Sequence, residues 1–100
     1  MNAATGIQTD DPHRKTCYFS GRVQGGGFRY TVKNIALQFN VHGYVRNLPD
    51  GRVELVMEGP EAQMDNLVQA VNQRMHDYIR EIDTKILPAT GEFPVFTIRH

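Results

Sequence analysis

The sequence predicts an α+β fold in which two helices pack on one face of an antiparallel sheet. Two segments, beginning near Phe28 and Glu61, carry apolar residues at the three- and four-residue spacing of amphipathic helices. Strand-like segments flank them, and Pro49–Gly51 is a strong turn signal between two of these strands. A hairpin requires antiparallel pairing, and two helices on one face bury such a sheet. The order β-α-β-β-α-β, with a short terminal strand, therefore predicts a ferredoxin-like α/β plait.

The first strand and the first helix are predicted ahead of Gly43. An apolar run over residues 15–23 indicates the strand. The helix begins at Phe28 and is expected to end near Asn40, because Gly43 and β-favouring residues follow. The apolar face of this helix consists of Phe28, Val32, Ile35, Ala36 and Phe39.

The hairpin, the second helix and two further strands complete the predicted fold. Residues 44–46 and 52–58 are the arms of the hairpin, and alternation in the second arm indicates that it is at least half buried. Pro60–Glu61 suits the first turn of a helix. Residues 79–87 and 94–99 predict the last two strands. The stripe of the second helix is Met64, Leu67, Val68, Val71 and Met75.

Composition limits the possible functions. The 100 residues suit one domain, predicted over residues 15–100, after a polar tail over residues 1–14 that we expect to be disordered. Basic and acidic residues balance at 11 each, so no overall charge attracts nucleic acid or a membrane surface. Neither a transmembrane run nor a signal-peptide pattern is present in the sequence. Cys17, the single cysteine, fits a cytoplasmic protein and a buried, unreactive thiol.

The most informative stretch is Gly21–Arg29, which passes from a strand through three glycines into a helix. Glycines let successive backbone N–H groups face one point, and the helix dipole adds partial positive charge there. Arg29 adds a planar guanidinium that suits phosphate oxygens. Alone, such a loop is better explained as a simple bend between a strand and a helix, and it matches neither a dinucleotide-binding fingerprint nor a Walker A loop.

A second segment, Gly43–Glu54, favours the anion-binding interpretation. Together, Gly21–Arg29 and Gly43–Glu54 closely resemble the acylphosphatase family. The pattern of that family is Gly-x-Val-Gln-Gly-Val-x-Phe-Arg, a helix, then Gly-Trp/Tyr-Val-Arg/Lys-Asn, a turn and Gly-x-Val. The resemblance runs from about Thr16 to the end of the sequence and includes Glu58–Glu61 and Phe96–Arg99. It implies the same plait and the hydrolysis of acyl phosphates to a carboxylate and inorganic phosphate.

The resemblance also implies roles for individual residues. Arg29 matches the phosphate-binding arginine of the family, and Asn47 matches the residue that orients the nucleophilic water. Without the resemblance, Asn47 is better explained as a turn residue. The phosphate loop of the family falls on the backbone of Gln24, Gly25, Gly26, Gly27 and Phe28. A monomer is expected, without a cofactor, with a small acyl phosphate as substrate and inorganic phosphate or sulfate as a competitive ligand.

Other polar residues near the motifs are predicted to be non-catalytic. Arg22 and Arg46 are expected on strand faces or at the rim of the site, and His42 at the surface. Asp50 and Glu54 are interpreted as turn and solvent-face groups. The two motifs contain no serine, cysteine or histidine, and no residue spacing suggests a metal site. Such a site can still cleave a carboxylic–phosphoric anhydride, because a carboxylate leaves readily, whereas phosphate monoesters should react poorly.

Two departures from the family pattern leave questions open. Gly26 stands where valine is usual, so we expect a more flexible loop that Gly26→Val would stabilise. The alternative is a loop rebuilt with a positive φ at Gly26, where valine would be strained. His100 stands where an aromatic residue commonly ends the family.

Two alternative functions use the same fold. One is an RNA-binding module, for which Tyr18, Phe19 and Tyr44 could supply stacking rings, although the neutral charge argues against it. The other is a non-catalytic module that binds phosphate or carbamoyl phosphate, since acylphosphatase-like domains occur inside larger carbamoyl-transfer proteins. The sequence ends with the predicted domain, which favours the free enzyme.

Overall fold

The computed structural model describes residues 12–100, which form a five-stranded sheet with two helices. The strands lie in the order β4-β1-β3-β2-β5, and the predicted ferredoxin-like plait is confirmed. Within the described residues, neither helix is long and apolar enough to cross a membrane. In chain order the elements are β1 (Pro12–Gly21), α1 (Phe28–Ala36), β2 (His42–Asn47), β3 (Val53–Pro60), α2 (Glu61–Arg74), a short 3-10 helix (His76–Tyr78), β4 (Ile79–Pro88) and β5 (Phe96–Ile98).

The sheet is mixed, whereas the sequence predicts an antiparallel one. β1 to β4 pair antiparallel as predicted. β5 instead runs parallel to β2, with Ile98 beside Val45. No short turn constrains the direction of β5, because residues 48–95 separate it from β2. As a result, the ends of β2 and β5 lie at the same edge of the sheet.

Two boundaries differ from those predicted. β1 begins at Pro12 rather than Lys15, and His13 already pairs with Gly59. Residues 12–14 of the predicted tail are therefore part of the sheet, while residues 1–11 lie outside the described residues. α1 ends at Ala36 rather than near Asn40, because the next residues make three-residue turns, such as the hydrogen bond from Phe39 N–H to the Ala36 carbonyl.

The core lies between the helices and one face of the sheet, and the apolar stripes of both helices contribute to it as predicted. The T-shaped contact of Phe19 with Phe28 joins β1 to α1, with ring centres 5.6 Å apart. The core cluster consists of Cys17, Phe19, Val23, Phe28, Val32, Ile35, Ala36, Val41, Val45, Val53, Leu55, Met57, Met64, Leu67, Val71 and Phe96.

β3 is buried on both faces, which corrects the expectation that Glu54 is a solvent-face group. Glu54 is only 8% exposed. Its carboxylate accepts hydrogen bonds from Arg46 Nε at 2.6 Å and from the Tyr44 hydroxyl at 3.3 Å. Because β3 lies at the centre of the sheet, long side chains of its neighbours cover the face opposite the helices. The alternation of side chains along β3 does not reveal that its second face is covered as well.

Glu58, also on β3, anchors the connection between β4 and β5. Its carboxylate accepts hydrogen bonds from the N–H groups of Thr90 and Gly91, at 2.9 and 2.8 Å, and from the Thr90 hydroxyl. Arg14 Nε donates a further bond at 2.8 Å. Burial by itself would raise the pKa of Glu58, but these hydrogen bonds together outweigh it and lower the pKa. Glu58 therefore stabilises the fold only when its carboxyl group is charged.

We expect Glu58→Gln to destabilise the fold at neutral pH by about 1–3 kcal/mol, because an amide cannot accept all four bonds. A carboxyl whose folded-state pKa lies below its unfolded value, about 4.3, contributes stability above that pH and loses it as the pH falls through the folded pKa. The difference between the two proteins should therefore shrink in acid. Urea unfolding at neutral and acidic pH measures it, with Glu92→Gln, a 55% exposed neighbour, as the milder control. Equal losses in the two variants would contradict the anchoring role.

Candidate active site

The loop between β1 and α1 contains three consecutive glycines in the left-handed region. The φ angles of Gly25, Gly26 and Gly27 are 84°, 61° and 81°. The Gly25 carbonyl accepts a hydrogen bond from Phe28 N–H at 3.3 Å, so the loop closes as a tight turn. The Gly27 carbonyl accepts from Thr31 N–H at 2.9 Å, which begins α1. Residues with a Cβ are strained at such angles, so glycine sets this conformation.

The N–H groups of the three glycines remain available to an anion. Among the described residues, none of these N–H groups donates a backbone hydrogen bond, whereas that of Phe28 is engaged by Gly25. An anion that used the Phe28 N–H would have to share or displace this 3.3 Å bond. The positive end of α1 points at the same place. Among the described residues, Phe28 is thus the one member of the predicted Gln24–Phe28 segment whose N–H is engaged by another backbone group.

The expectation of a merely more flexible loop is therefore wrong: φ of Gly26 is positive, as in the alternative of a rebuilt loop. We expect Gly26→Val to lower the stability of the fold by about 1–2 kcal/mol, and to weaken phosphate binding and turnover. A Cβ at this position would meet no atom within 4 Å, so the loss would come from backbone strain rather than a clash.

Thermal melting with and without phosphate measures the effect of Gly26→Val. Gly26→Asn is the matched control, since asparagine tolerates the left-handed region and should lose less. A valine variant with a higher melting temperature and stronger stabilisation by phosphate would show that the loop adopts a different conformation.

Arg29 lies in the first turn of α1, beside the glycine loop. Its Nη1 atom is 3.4 Å from Nδ1 of His100, which follows β5. The two side chains border a cavity of about 200 Å³. The rest of its lining comes from Gly25 and Gly27 of the loop, Phe28 and Tyr30 of α1, and Ile98 of β5. Arg29 and two of the three glycines thus line one small cavity, whereas Gly26 lines a separate one.

Asn47 ends β2 and carries a buried polar atom without a partner. Its Oδ1 makes no hydrogen bond to any of the described residues. A buried acceptor that stays unpaired costs about 1–3 kcal/mol, so such groups usually bind a water or a ligand. The side chain of Asn47 therefore offers an acceptor that the fold itself does not use.

Gln24 connects the glycine loop to the turn that follows Asn47. Its side-chain Nε2 donates to the carbonyls of Leu48 and Arg52, at 2.7 and 2.9 Å. The resemblance to the family implies a role only for the backbone of Gln24, so this side-chain contact is an addition. One exposed amide thus ties the first motif to the second.

Asn47 and Arg29 are connected in space through His100, because β5 pairs in parallel with β2. Ile98 pairs with Val45, and the same register continued for two residues brings His100 level with Asn47. His100 in turn contacts Arg29. Asn47 is not among the residues that line the cavity around Arg29. Gly25 and Gly27 therefore line one cavity together with Arg29 and His100. Asn47 lies outside this cavity, at the same edge of the sheet.

The charged residues predicted to be non-catalytic are engaged elsewhere. Arg22 is exposed, with its guanidinium carbon 5.6 Å from the centre of the Tyr78 ring. Arg46 forms the ion pair with Glu54, as expected for a strand-face residue. His42 is exposed on β2.

Asp50 and Cys17 match their predicted roles. Asp50 caps the hairpin turn, and its pKa is lowered chiefly by the hydrogen bond from Arg52 N–H. Cys17 is fully buried, and burial raises the pKa of its thiol, which makes it a poor nucleophile. Within residues 12–100, no cluster of three or more histidine, cysteine or acidic residues could hold a metal ion.

The aromatic rings considered for RNA stacking are in contact with protein groups. Phe19 is buried under the helices. The guanidinium carbon of Arg52 lies 4.6 Å from the centre of the Tyr18 ring. The guanidinium carbon of Arg99 lies 3.7 Å from the centre of the Tyr44 ring. The Tyr44 ring also makes a T-shaped contact with Phe93. Phe19 is thus unavailable for base stacking, and the other two rings already have a guanidinium close to them.

Sequence reasoning missed three residues of the cavity: Tyr30, Ile98 and His100. Tyr30 could have been found, because it follows Arg29 directly and does not belong to the apolar stripe of α1. Ile98 and His100 depended on the parallel position of β5, which no local signal predicts. His100 was noted in the sequence only as a departure from the family pattern.

These features define the class of the protein: a small α/β plait with a glycine loop, an arginine and, at the same edge of the sheet, an amide oxygen that has no partner among the described residues. Comparison with known proteins agrees. The family model Acylphosphatase matches residues 15–98. The chain is 41% identical over 91 residues to the acylphosphatase of Paenarthrobacter aurescens. The aligned region covers 90% of this chain and 97% of that protein. The chain belongs to the acylphosphatase family.

Solved structures extend the comparison. The crystal structure of acylphosphatase from Bacillus subtilis matches with a TM-score of 0.79 and 31% identity, over 88% of this chain and 99% of that one. The HypF protein of T. kodakarensis matches with a TM-score of 0.76 and 30% identity, over 88% of this chain but only 12% of that protein. The same plait is therefore similar both to a free enzyme and to a small part of a larger protein.

Proposed function

We propose that this chain hydrolyses the carboxyl–phosphate bond of acyl phosphates with Arg29 and Asn47 as its catalytic residues. The transferring phosphoryl group is held by the N–H groups of the glycine loop and by the Arg29 guanidinium. Asn47 orients the attacking water through its unpaired Oδ1. That acceptor is the observation that carries the proposal, because a buried amide oxygen with no partner among the described residues usually binds a water or a ligand.

The reaction needs no nucleophile or base from the protein. The water oxygen attacks phosphorus, the bond from phosphorus to the acyl oxygen breaks, and the carboxylate leaves with the bonding electron pair. One water proton passes to a non-bridging phosphate oxygen, so the products are a carboxylate and inorganic phosphate. Because the transition state is loose, positioning and charge stabilisation supply most of the catalysis.

The test is phosphate release from benzoyl phosphate, with p-nitrophenyl phosphate as the comparison substrate. We expect rapid turnover of the anhydride and little of the monoester, because the carboxylate is the better leaving group. Inorganic phosphate or sulfate should inhibit competitively, and a chelator should have no effect. Comparable turnover of both substrates, or loss of activity with the chelator, would contradict the proposed mechanism.

Binding of phosphate or carbamoyl phosphate without turnover would instead favour a non-catalytic role. The match to a small part of HypF is the observation behind that alternative. We further propose that the chain acts as a monomer in the cytoplasm on small-molecule substrates, without nucleic acid or membrane partners. The single buried cysteine and the balanced charge support this.

A further inference from the structure

Resting on the proposed function, we propose that the cavity beside Arg29 is a subsite for the acyl group and selects uncharged, apolar or aromatic acyl phosphates. Tyr30 and Ile98 are its specificity-determining residues. A phosphoryl group held by the glycine loop and Arg29 would leave its acyl substituent inside or next to this cavity, since the same cavity is lined by Gly25, Gly27 and Arg29.

The size of the cavity suits one small organic group. Its volume of about 200 Å³ is ample for a phosphoryl group with a single ring or short chain attached. Tyr30 is 67% exposed, and no hydrogen bond to its hydroxyl is seen among the described residues. An aromatic ring that is exposed at the mouth of an anion site, rather than packed in the core, is available to a ligand.

The charge of the lining determines which acyl groups fit. Arg29 is the one permanently charged residue among those that line the cavity, and the phosphoryl group engages it. An acyl group with a second anionic group would therefore face Tyr30 and Ile98, with no second arginine or lysine in the lining to pair with. Burying such an anion unpaired is costly, whereas an apolar acyl group gains free energy as it leaves water.

The experiment compares kcat and KM for three probes: benzoyl phosphate, acetyl phosphate and succinyl phosphate, which carries a second carboxylate. We expect the native chain to prefer benzoyl phosphate. In Tyr30→Ala, the KM for benzoyl phosphate should rise roughly three- to tenfold with little change in kcat, because the ring contact is equal in the ground and transition states. Acetyl phosphate turnover and inhibition by inorganic phosphate should change less than about twofold.

Matched variants separate the subsite from a general effect. Tyr30→Phe keeps the ring and should behave as the native chain. Leu37→Ala removes an equally exposed apolar side chain, 64% exposed, just after α1 and away from the cavity, and should change nothing. Tyr30→Lys adds a cation and should shift the preference towards succinyl phosphate.

Three outcomes are decisive. Loss specific to benzoyl phosphate, with rescue by Tyr30→Phe, supports the subsite. The subsite is overturned if Tyr30→Ala leaves the turnover of all three probes unchanged or lowers it equally for all of them. If that turnover still depends on Arg29, the proposed function stands. Absence of turnover with every probe overturns the proposed function, and the subsite with it.

Discussion

The Arg29→Ala variant should lose both phosphate binding and turnover while remaining folded. Arg29 lies beside the open N–H groups of the glycine loop and has no ion-pair partner among the described residues. Its charge is thus free to act on a ligand. Loss of a bidentate cation that faces a phosphoryl group should cost about 2–5 kcal/mol of transition-state stabilisation, roughly a hundredfold or more in kcat/KM.

Two further variants make the Arg29 prediction specific. Arg29→Lys should restore little activity, because an ammonium cannot reproduce two parallel hydrogen bonds to phosphate oxygens. Arg22→Ala removes an exposed arginine close to the same loop and should retain most of the activity. Benzoyl phosphate kinetics and phosphate inhibition measure all three. Near-full activity in the lysine variant would show that Arg29 contributes only its charge.

The Asn47→Ala variant should separate binding from turnover. The proposed partner of Asn47 is water, so inhibition by inorganic phosphate should persist while kcat falls by about two orders of magnitude. Folding should survive, because the Oδ1 atom makes no hydrogen bond within the described chain and its removal leaves no broken pair. The free energy of unfolding should change by about 1 kcal/mol or less.

Phosphate affinity and kcat need to be measured together on Asn47→Ala, with thermal melting as the check on folding. Asn34→Ala is the matched control, since Asn34 is an exposed asparagine on α1 outside the cavity. Parallel loss of phosphate binding and kcat would make Asn47 a structural residue of the hairpin turn. Unchanged kcat would remove it from the mechanism.

Features that depend on local signals could be predicted from the sequence. The hairpin follows from Pro49–Gly51, and the two helices follow from their apolar stripes. The glycine loop and Arg29 lie within nine consecutive residues, so their proximity in space follows from their proximity in the chain. The motif resemblance supplied Asn47, whose role no spacing or composition could have indicated.

Features that depend on the order of the strands could not be predicted. Glu54 is buried because β3 is central, and a local sequence window contains no information on which strand lies in the centre. His100 reaches Arg29 because β5 adds to β2 in parallel, across 71 residues of chain. The positive φ of Gly26 likewise depends on a turn that three glycines permit but do not dictate.

The glycine loop also limits what side-chain replacement can reveal about this site. Between Gln24 and Phe28 the loop presents only main chain to a ligand, so no alanine scan can delete its hydrogen-bond donors. Such a scan would assign the whole of phosphate recognition to Arg29, because that is the one donor it can remove. The share carried by the loop becomes measurable only when an N–H is exchanged for an ester oxygen. In a chain of 100 residues, chemical ligation of synthetic segments brings that exchange within reach.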